Sequence, residues 1–394
     1  MARPLLSLAL IMRDAQEDII PCLSSCAGAV DEMVICDTGS RDASVAKARK
    51  FLRKWLGEDQ GRRGEVCRFR WRDDFAAAKN FALSRAHGRY ALLLDSDERL
   101  SEETRGNLRP LVEALARGDM PEGGALTGPA LWQGTGGQAV DAVEFWRLNV
   151  ERDGSPISGE EWDQAVRLAR LGPDLRYQGE VHEQLVRSDG ANLISAAIER
   201  EKILVIHTGY AKGLKEEKIR RNHRILLREE ERGGSTYMLE LYLAQLHMAR
   251  KEFAKAAGHA MAALQESRPV HDRAAPWRMA ANAWLEEENR AQAAGEAAAL
   301  AKARRELAGV LQGAMQELPE WPDFPYIRSV GRWNEADARE DRQGKEEALS
   351  EMEQAQSLAS QFSRRHPDQV FAFAAMLPSL TANLEQMRSE LGKL

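Results

Sequence analysis

Two patterns of apolar and polar positions divide the chain. Up to about residue 212, short apolar runs alternate with amphipathic stretches. Leu5–Met12, Glu32–Cys36, Val66–Trp71 and Tyr90–Leu94 are bounded by charged or Gly-containing turns, the pattern of buried strands. Between them, Ala43–Leu56 places Val45, Ala48, Leu52 and Trp55 on one helical face. Phe75–Ala86 does the same with Phe75, Ala78, Phe81 or Ala82, and the aliphatic stem of Arg85. Such alternation predicts an α/β domain built on a mostly parallel sheet with right-handed crossovers. Ligands of such sheets bind beyond the C-terminal ends of the strands. Val143–Asn149, Val166–Arg170 and Ile203–Ile206 read as further strands, and Gly118–Gly137 as irregular.

From about Gly213 the pattern is helical. Lys215–Arg232 is a charged helix in which Glu216/Arg220 and Glu217/Arg221 are spaced to pair. Leu239–Glu266 has Leu243, Ala244, Ala256, Ala260 and Ala263 at the large and small positions of a tetratricopeptide repeat. Trp277–Ala303 fits that repeat poorly. Pro319, Pro322 and Pro325 mark a break before helices over Asn334–Phe362 and Leu377–Leu391. Two domains are expected, residues 1–212 and an all-α region over 213–394.

Composition narrows the partners. The 61 acidic and 55 basic residues give a net charge of −6, which argues against nucleic acid or a strongly anionic membrane. A small phosphorylated ligand held through a metal ion stays open. Cys22, Cys26, Cys36 and Cys67 are few, clustered and without CxxC spacing, so the cytoplasm is the expected compartment. Nothing approaches the roughly 20 apolar residues of a membrane span. Leu5–Met12 is cut short by Arg13, Asp14, Glu17 and Asp18, as a buried strand would be and a leader would not.

Chemistry concentrates at strand ends. Val34-Ile35-Cys36 runs into Asp37-Thr38-Gly39-Ser40-Arg41-Asp42. An Asp there can accept from the N3–H of a uracil or from a ribose hydroxyl, and turn formation with helix capping is the plainer alternative. Leu92-Leu93-Leu94 runs into Asp95-Ser96-Asp97-Glu98. Like charges so close are unfavourable unless a cation or a basic group sits between them; Mg²⁺ or Mn²⁺ takes carboxylate and phosphate oxygens together, and an exposed acidic turn is the plainer alternative. Trp71-Arg72-Asp73-Asp74-Phe75 precedes Lys79-Asn80, one helical turn in, where they could face a phosphate or sugar or simply solvent. Tyr177-Gln178-Gly179-Glu180-Val181-His182-Glu183-Gln184 offers three groups able to accept a proton, Glu180, His182 and Glu183. Its bland alternative is a half-buried strand with charged outer residues.

The first three motifs, in this order and at these separations, resemble the family 2 glycosyltransferases of the GT-A fold. The likeness is tight over roughly residues 5–105 and loose to about 212. Within that family the chain looks most like the branch with a tetratricopeptide-like C-terminal region, which includes enzymes that glycosylate Cys or Ser of bacteriocin peptides. The resemblance implies an inverting, metal-dependent sugar transfer from a nucleotide-sugar, with UDP-sugar as donor and Mn²⁺ or Mg²⁺ as cofactor. Asp37 would contact uracil or ribose. Asp95 would lie nearer the ribose and Asp97 would hold the metal, the two forming the Asp-x-Asp pair, with His207 a third metal ligand. Lys79 and Asn80 stand where the family has Arg-Asn near the donor, and Lys lacks the planar fork of Arg. Val181-His182-Glu183 resembles a recurring element of the same branch, and Glu183 is favoured as the base, with His182 orienting. Met12-Arg13-Asp14-Ala15 departs from the commoner Lys-Asn-Glu type at the first strand end.

The acceptor stays open between a peptide Cys or Ser, a cell-envelope glycan and a lipid-linked sugar. The helical region would bind the acceptor, as concave repeat surfaces suit an extended peptide, or make a homodimer. Two rivals are weaker. A nucleotidyltransferase would show a Gly-rich basic loop where Arg13-Asp14-Ala15-Gln16 stands. A non-catalytic repeat scaffold would not keep both the Asp-Ser-Asp and Asp-x-Gly-Ser elements.

Overall fold

A computed structural model describes residues 3–392 other than 60, 119–125, 128–139, 158–161, 192, 199–200, 210–214, 267, 269 and 366–375. The chain divides into two compact units, Met1–Ile225 and Leu226–Leu394.

In the first unit, β1 (Leu6–Met12), β2 (Glu32–Asp37), β3 (Arg63–Arg68) and β4 (Tyr90–Leu92) lie parallel in the order β3-β2-β1-β4. Both faces are covered, which is why β1 reads as one apolar run. Leu6, Leu8, Leu10 and Met12 share a core with Leu23 of α1 (Ile19–Cys26), Leu52 of α2 (Ser44–Glu58) and Leu108 of α4 (Glu102–Arg117). The alternate residue Ile11 packs on the other face against Ala78 and Ala82 of α3 (Phe75–Arg85). Each fully buried aliphatic side chain contributes about 1.5–3 kcal/mol. All four cysteines are free thiols, and Cys22, Cys26 and Cys36 are buried core members.

Past β4 the sheet turns mixed. β8 (Trp162–Arg170) runs antiparallel to both β4 and β7 (Ala142–Asn149). β7 pairs in parallel with β11 (Ser195–Ile198) and β12 (Leu204–His207). β12 also pairs antiparallel with β5 (Glu98–Leu100), and β6 (Leu126–Thr127) with β11. A separate hairpin, β9 (Leu175–Gln178) and β10 (Gln184–Arg187), carries the loop with Glu180, His182 and Glu183. These three therefore stand in a turn and not along a strand.

The second pattern is all-helical, as expected. After α5 (Lys215–Glu231) come α6 (Tyr237–Ala249), α7 (Phe253–Ala263), α8 (Val270–Ala294), α9 (Ala297–Glu317), α10 (Asp323–Ala338), α11 (Arg342–Arg365) and α12 (Met376–Leu391). Most of these helices pack on their neighbours in sequence. Fully buried Ala256, Ala260, Ala280, Ala281, Ala303 and Ala314 let helices approach closely.

Several boundaries differ from the expected ones. The strand read over Val66–Trp71 is Arg63–Arg68, paired from Glu32↔Arg63 to Asp37↔Arg68. Phe69 and Trp71 are apolar because they pack on Phe81 and Phe75 after the strand ends. The single helix expected over Asn334–Phe362 is two, parted where Glu340 takes a φ of 55°. α10 begins between Pro322 and Pro325, because Pro in a first turn forfeits no helical hydrogen bond. Pro110 disguises α4, which Ser101 caps through the Thr104 N–H and Gly118 closes at a φ of 78°. The side chains of Glu216 and Glu217 lie outside the described residues, as does most of Gly118–Gly137.

Candidate active site

The loops after β1 and β2 are stitched together. Met12 pairs with Asp37 in register, and Thr38 N–H donates to Met12 O at 2.9 Å. Asp37 is buried and accepts from Ser40 N–H at 3.0 Å. Asp14 N–H donates to Ser40 Oγ at 3.0 Å, and Arg41 N–H donates to Asp14 Oδ1 at 2.7 Å. Gly39 at a φ of 112° permits the turn. Asp42, not Asp37, satisfies the start of α2, accepting from Ser44 N–H at 2.9 Å. The N-cap of α2 is Ala43, which offers no side-chain cap, so Asp42 acts one residue before it and Asp37 closes its own turn through Ser40.

Asp95 follows the buried Leu93 and Leu94 and meets two cations. Lys79 Nζ lies 3.0 Å from its Oδ1 and Arg167 Nη2 3.0 Å from its Oδ2. Burial pushes the Asp95 carboxyl up, but Lys79 and Arg167 outweigh it and hold it well below the usual carboxylate range. Arg167 also reaches the buried Glu98 at 2.6 Å, and Arg147 reaches Glu98 at 3.0 Å. Lys79 continues to Glu183 Oε1 at 2.7 Å, with its ammonium 5.3 Å from the centre of the Tyr177 ring. Burial lowers the Lys79 pKa, and Asp95 and Glu183 more than restore it, so the ammonium stays charged.

Asp97 looks elsewhere. Its Oδ1 lies 3.8 Å from His207 Nε2, and its Oδ2 accepts from Lys218 Nζ at 2.8 Å. His207 Nδ1 is held by Asn149 Oδ1 at 2.7 Å, which turns its Nε2 toward Asp97. A Cβ added at Gly209 would overlap both His207 Nε2 and Asp97 Oδ2 and come within 2.9 Å of Lys218 Nζ. Only a glycine fits at 209, because Asp97, His207 and the Lys218 ammonium close on its backbone; with Lys218 moved aside, the carboxylate and imidazole would give two ligands to a divalent ion such as Mn²⁺. Burial raises the Asp97 carboxyl, and Lys218 and His207 bring it below its ordinary value. Nearby Asp18 is raised, by burial first and by the charge of Asp97. Of the three expected metal ligands, Asp97 and His207 are brought together, while Asp95 faces Lys79 and Arg167.

The β9–β10 loop is clipped onto α3. Asn80 Nδ2 donates to Tyr177 O and Asn80 Oδ1 accepts from Tyr177 N–H, both at 2.8 Å. Phe75 N–H donates to Glu180 O at 2.8 Å. The loop turns on Gly179 at a φ of 100° and His182 at 54°. Burial depresses His182 to about 4, so its imidazole is neutral at physiological pH. Glu183 thereby reaches Lys79, and through it Asp95.

Sequence reading did not single out Arg167, Arg147, Lys218, Asp18 or Gly209. An Arg inside the apolar run Val166–Arg170 is a usable signal, since a buried guanidinium needs a carboxylate. Lys218 is one of many charges on α5 and carries no such mark.

The first unit is thus an α/β domain whose sheet edge gathers Asp37, Asp95, Asp97 and Glu98 with Lys79, Arg167 and Lys218. Residues 7–120 match the family model described as "Glycosyl transferase family 2". A tetratricopeptide-repeat-containing protein of Synechococcus elongatus is 33% identical over 177 residues, which cover 45% of this chain and 34% of that protein. The chain thus spans about a third of the length of that curated relative. Among solved structures, S. aureus TarS 1–349 in complex with UDP-GlcNAc superposes with a TM-score of 0.38 at 12% identity, over 86% of this chain and 88% of that one. The mannosyltransferase PcManGT of Pyrobaculum calidifontis, in complex with GDP-Man and Mn²⁺, gives 0.35 at 18% identity, over 78% and 88%. Likenesses at this level are of outline only. Among the described residues, no helix is long and apolar enough to cross a membrane.

Proposed function

We propose that the first unit transfers a sugar from a nucleotide-sugar, a UDP-sugar, to a hydroxyl or thiol acceptor with inversion at the anomeric carbon. The observation that supports this reading is the ion-paired chain Glu183–Lys79–Asp95, with Asp97, two residues on, 3.8 Å from His207. On this reading a proton acceptor and a cation would serve one ligand beyond the C-terminal ends of the strands.

Asp97 and His207 would hold Mn²⁺ or Mg²⁺, which when bound offsets charge on a diphosphate leaving group. Asp37, anchored by Ser40, presents a carboxylate to uracil or ribose. Lys79 holds the Glu183 carboxylate in place at 2.7 Å, and Glu183 takes the acceptor's proton as the nucleophile attacks opposite the leaving group. His182, neutral by burial, orients that loop or contacts the acceptor. Asn80 acts by fixing the loop through Tyr177 and not by touching the donor. The helical region would receive the acceptor, a peptide Cys or Ser or a glycan, or pair with a second copy.

The test is a panel of UDP-sugars with Mn²⁺ or chelator, offered with peptides and glycans and read by mass spectrometry. Metal-dependent release of UDP that Asp97→Ala abolishes supports the reading. Lack of UDP binding in Mn²⁺ would overturn it.

A further inference from the structure

We propose that the second unit carries a transition-metal site of its own, with Glu230, His247 and His259 as ligands and Zn²⁺ as the cation it fits best. Glu230 lies in the last turn of α5, His247 in the last turn of α6 and His259 within α7. One ligand atom from each lies within 4.8 Å of the other two. Glu230 Oε1 is 3.3 Å from His259 Nε2 and 3.7 Å from His247 Nε2. Zinc–ligand bonds of about 2.0–2.1 Å in a tetrahedron put neighbouring ligand atoms about 3.3–3.4 Å apart. The carboxylate is already near that spacing from both rings.

The outer partners match as well. Glu252 Oε2 lies 2.6 Å from His247 Nδ1, and Glu240 Oε2 lies 2.8 Å from His259 Nδ1. A carboxylate on Nδ1 fixes the proton there, turns Nε2 into the lone-pair donor and raises its basicity, the usual arrangement behind a metal-bound histidine. The two rings are stacked, parallel to within 1° with centroids 5.1 Å apart, so one ring turns about its side-chain torsions to bring both in-plane Nε2 lone pairs onto one ion. His247 is 1% exposed, and its Nε2 has no hydrogen-bond partner among the described residues. A buried nitrogen left unmatched is costly unless something fills the place in front of it.

Charge favours the same occupant. Three carboxylates, Glu230, Glu240 and Glu252, surround two imidazoles, with Lys255 3.5 Å from Glu252. A divalent ion offsets that surplus at its centre. An imidazolium at His259 would satisfy Glu230 and Glu240 but leave His247 Nε2 unmatched. The frame is firm: Glu252 N–H donates to His247 O at 2.9 Å across a turn in which Lys251 has a φ of 60°. Three protein ligands leave a fourth position for water or another ligand. Zn²⁺ here would tie the end of α5 to the α6–α7 hairpin.

The full-length chain, stripped with chelator, tests this at neutral pH by titration with Zn²⁺ and with Co²⁺ as a spectroscopic stand-in. Asp97→Asn removes the cation site of the first unit from the count. That variant should still bind one equivalent of Zn²⁺, show the visible absorption of low-coordinate Co²⁺, and melt at higher temperature with Zn²⁺. His247→Gln and His259→Gln should lose the band and at least about tenfold in affinity. Glu240→Gln keeps every ligand and should weaken binding about 10–100-fold, which covers the case of a ligand variant that does not fold. No stoichiometric Zn²⁺ in Asp97→Asn, or unchanged affinity in His259→Gln or Glu240→Gln, overturns the proposal.

Discussion

Lys79 Nζ and Glu183 Oε1 lie 2.7 Å apart, joining the first helical turns of α3 to the β9–β10 loop. The same ammonium reaches Asp95 at 3.0 Å, so one cation bridges the carboxylate that follows β4 and the one in the β9–β10 loop. If Glu183 takes the acceptor's proton, Glu183→Gln should cut turnover about 10²–10⁴-fold with UDP affinity near wild type. Steady-state rates and calorimetry with Mn²⁺ check this. Turnover that survives Glu183→Gln and falls with Glu180→Gln moves the role to Glu180.

Lys79→Met should cost stability as well as activity. It strips the cation from two carboxylates, and removing one partner of a buried pair costs about 3–5 kcal/mol. Arg167 still covers Asp95, so the lower end is expected in urea denaturation. Equal stability to wild type would show the pair to be solvent-screened.

Gly209→Ala is a test by volume alone. The added methyl falls against His207 Nε2 and Asp97 Oδ2, where a cation would sit. Expected is loss of Mn²⁺-dependent UDP binding, together with a melting temperature lowered even in chelator, since the overlap forces His207 or Asp97 to shift at a cost of about 1–3 kcal/mol. Metal-dependent binding that persists in Gly209→Ala would remove the cation from this place.

Much of this was legible in the sequence. The apolar runs of β1, β2 and β4 and the faces of α2 and α3 follow from burial on both sides of a parallel sheet. Asp37, Asp95 and Asp97 announce themselves because each follows such a run. What was hidden is what chain folding brings from far away. Asp95 and Asp97 read as one metal pair, yet successive residues of the turn face different neighbours, Lys79 with Arg167 and His207 with Lys218. Asn80 read as a donor contact because a helix surface gives no hint of the Tyr177 backbone that meets it. Pro110 concealed α4, since Pro normally argues against a helix interior.

Asn80→Ala separates positioning from donor contact. It removes two hydrogen bonds to the Tyr177 backbone and leaves buried peptide groups unmatched, about 1–3 kcal/mol each. Faster amide exchange over residues 175–187 is expected, with kcat lowered and UDP affinity kept. Lost UDP affinity with unchanged exchange would make Asn80 a donor ligand.

His182 gives the first unit an acid-sensitive element whose sign is fixed. Burial holds its pKa near 4 in the folded chain, against an ordinary 6.5. Between those values the unfolded chain binds a proton that the folded one refuses, so stability is full above pH 6.5 and falls as pH drops toward 4. The loss by pH 4.5 should be about 2 kcal/mol. Asn tolerates the positive φ of 54° and cannot titrate, so His182→Asn should lose less stability than wild type between pH 7 and pH 4.5. Urea midpoints at the two pH values measure the difference, with the carboxylates common to both chains cancelling. Parallel losses in the two proteins would mean that His182 is hydrated and titrates normally. A neutral imidazole at pH 5 also means that an acid limb of turnover above that pH has another source, and turnover of His182→Asn should keep the wild-type limb.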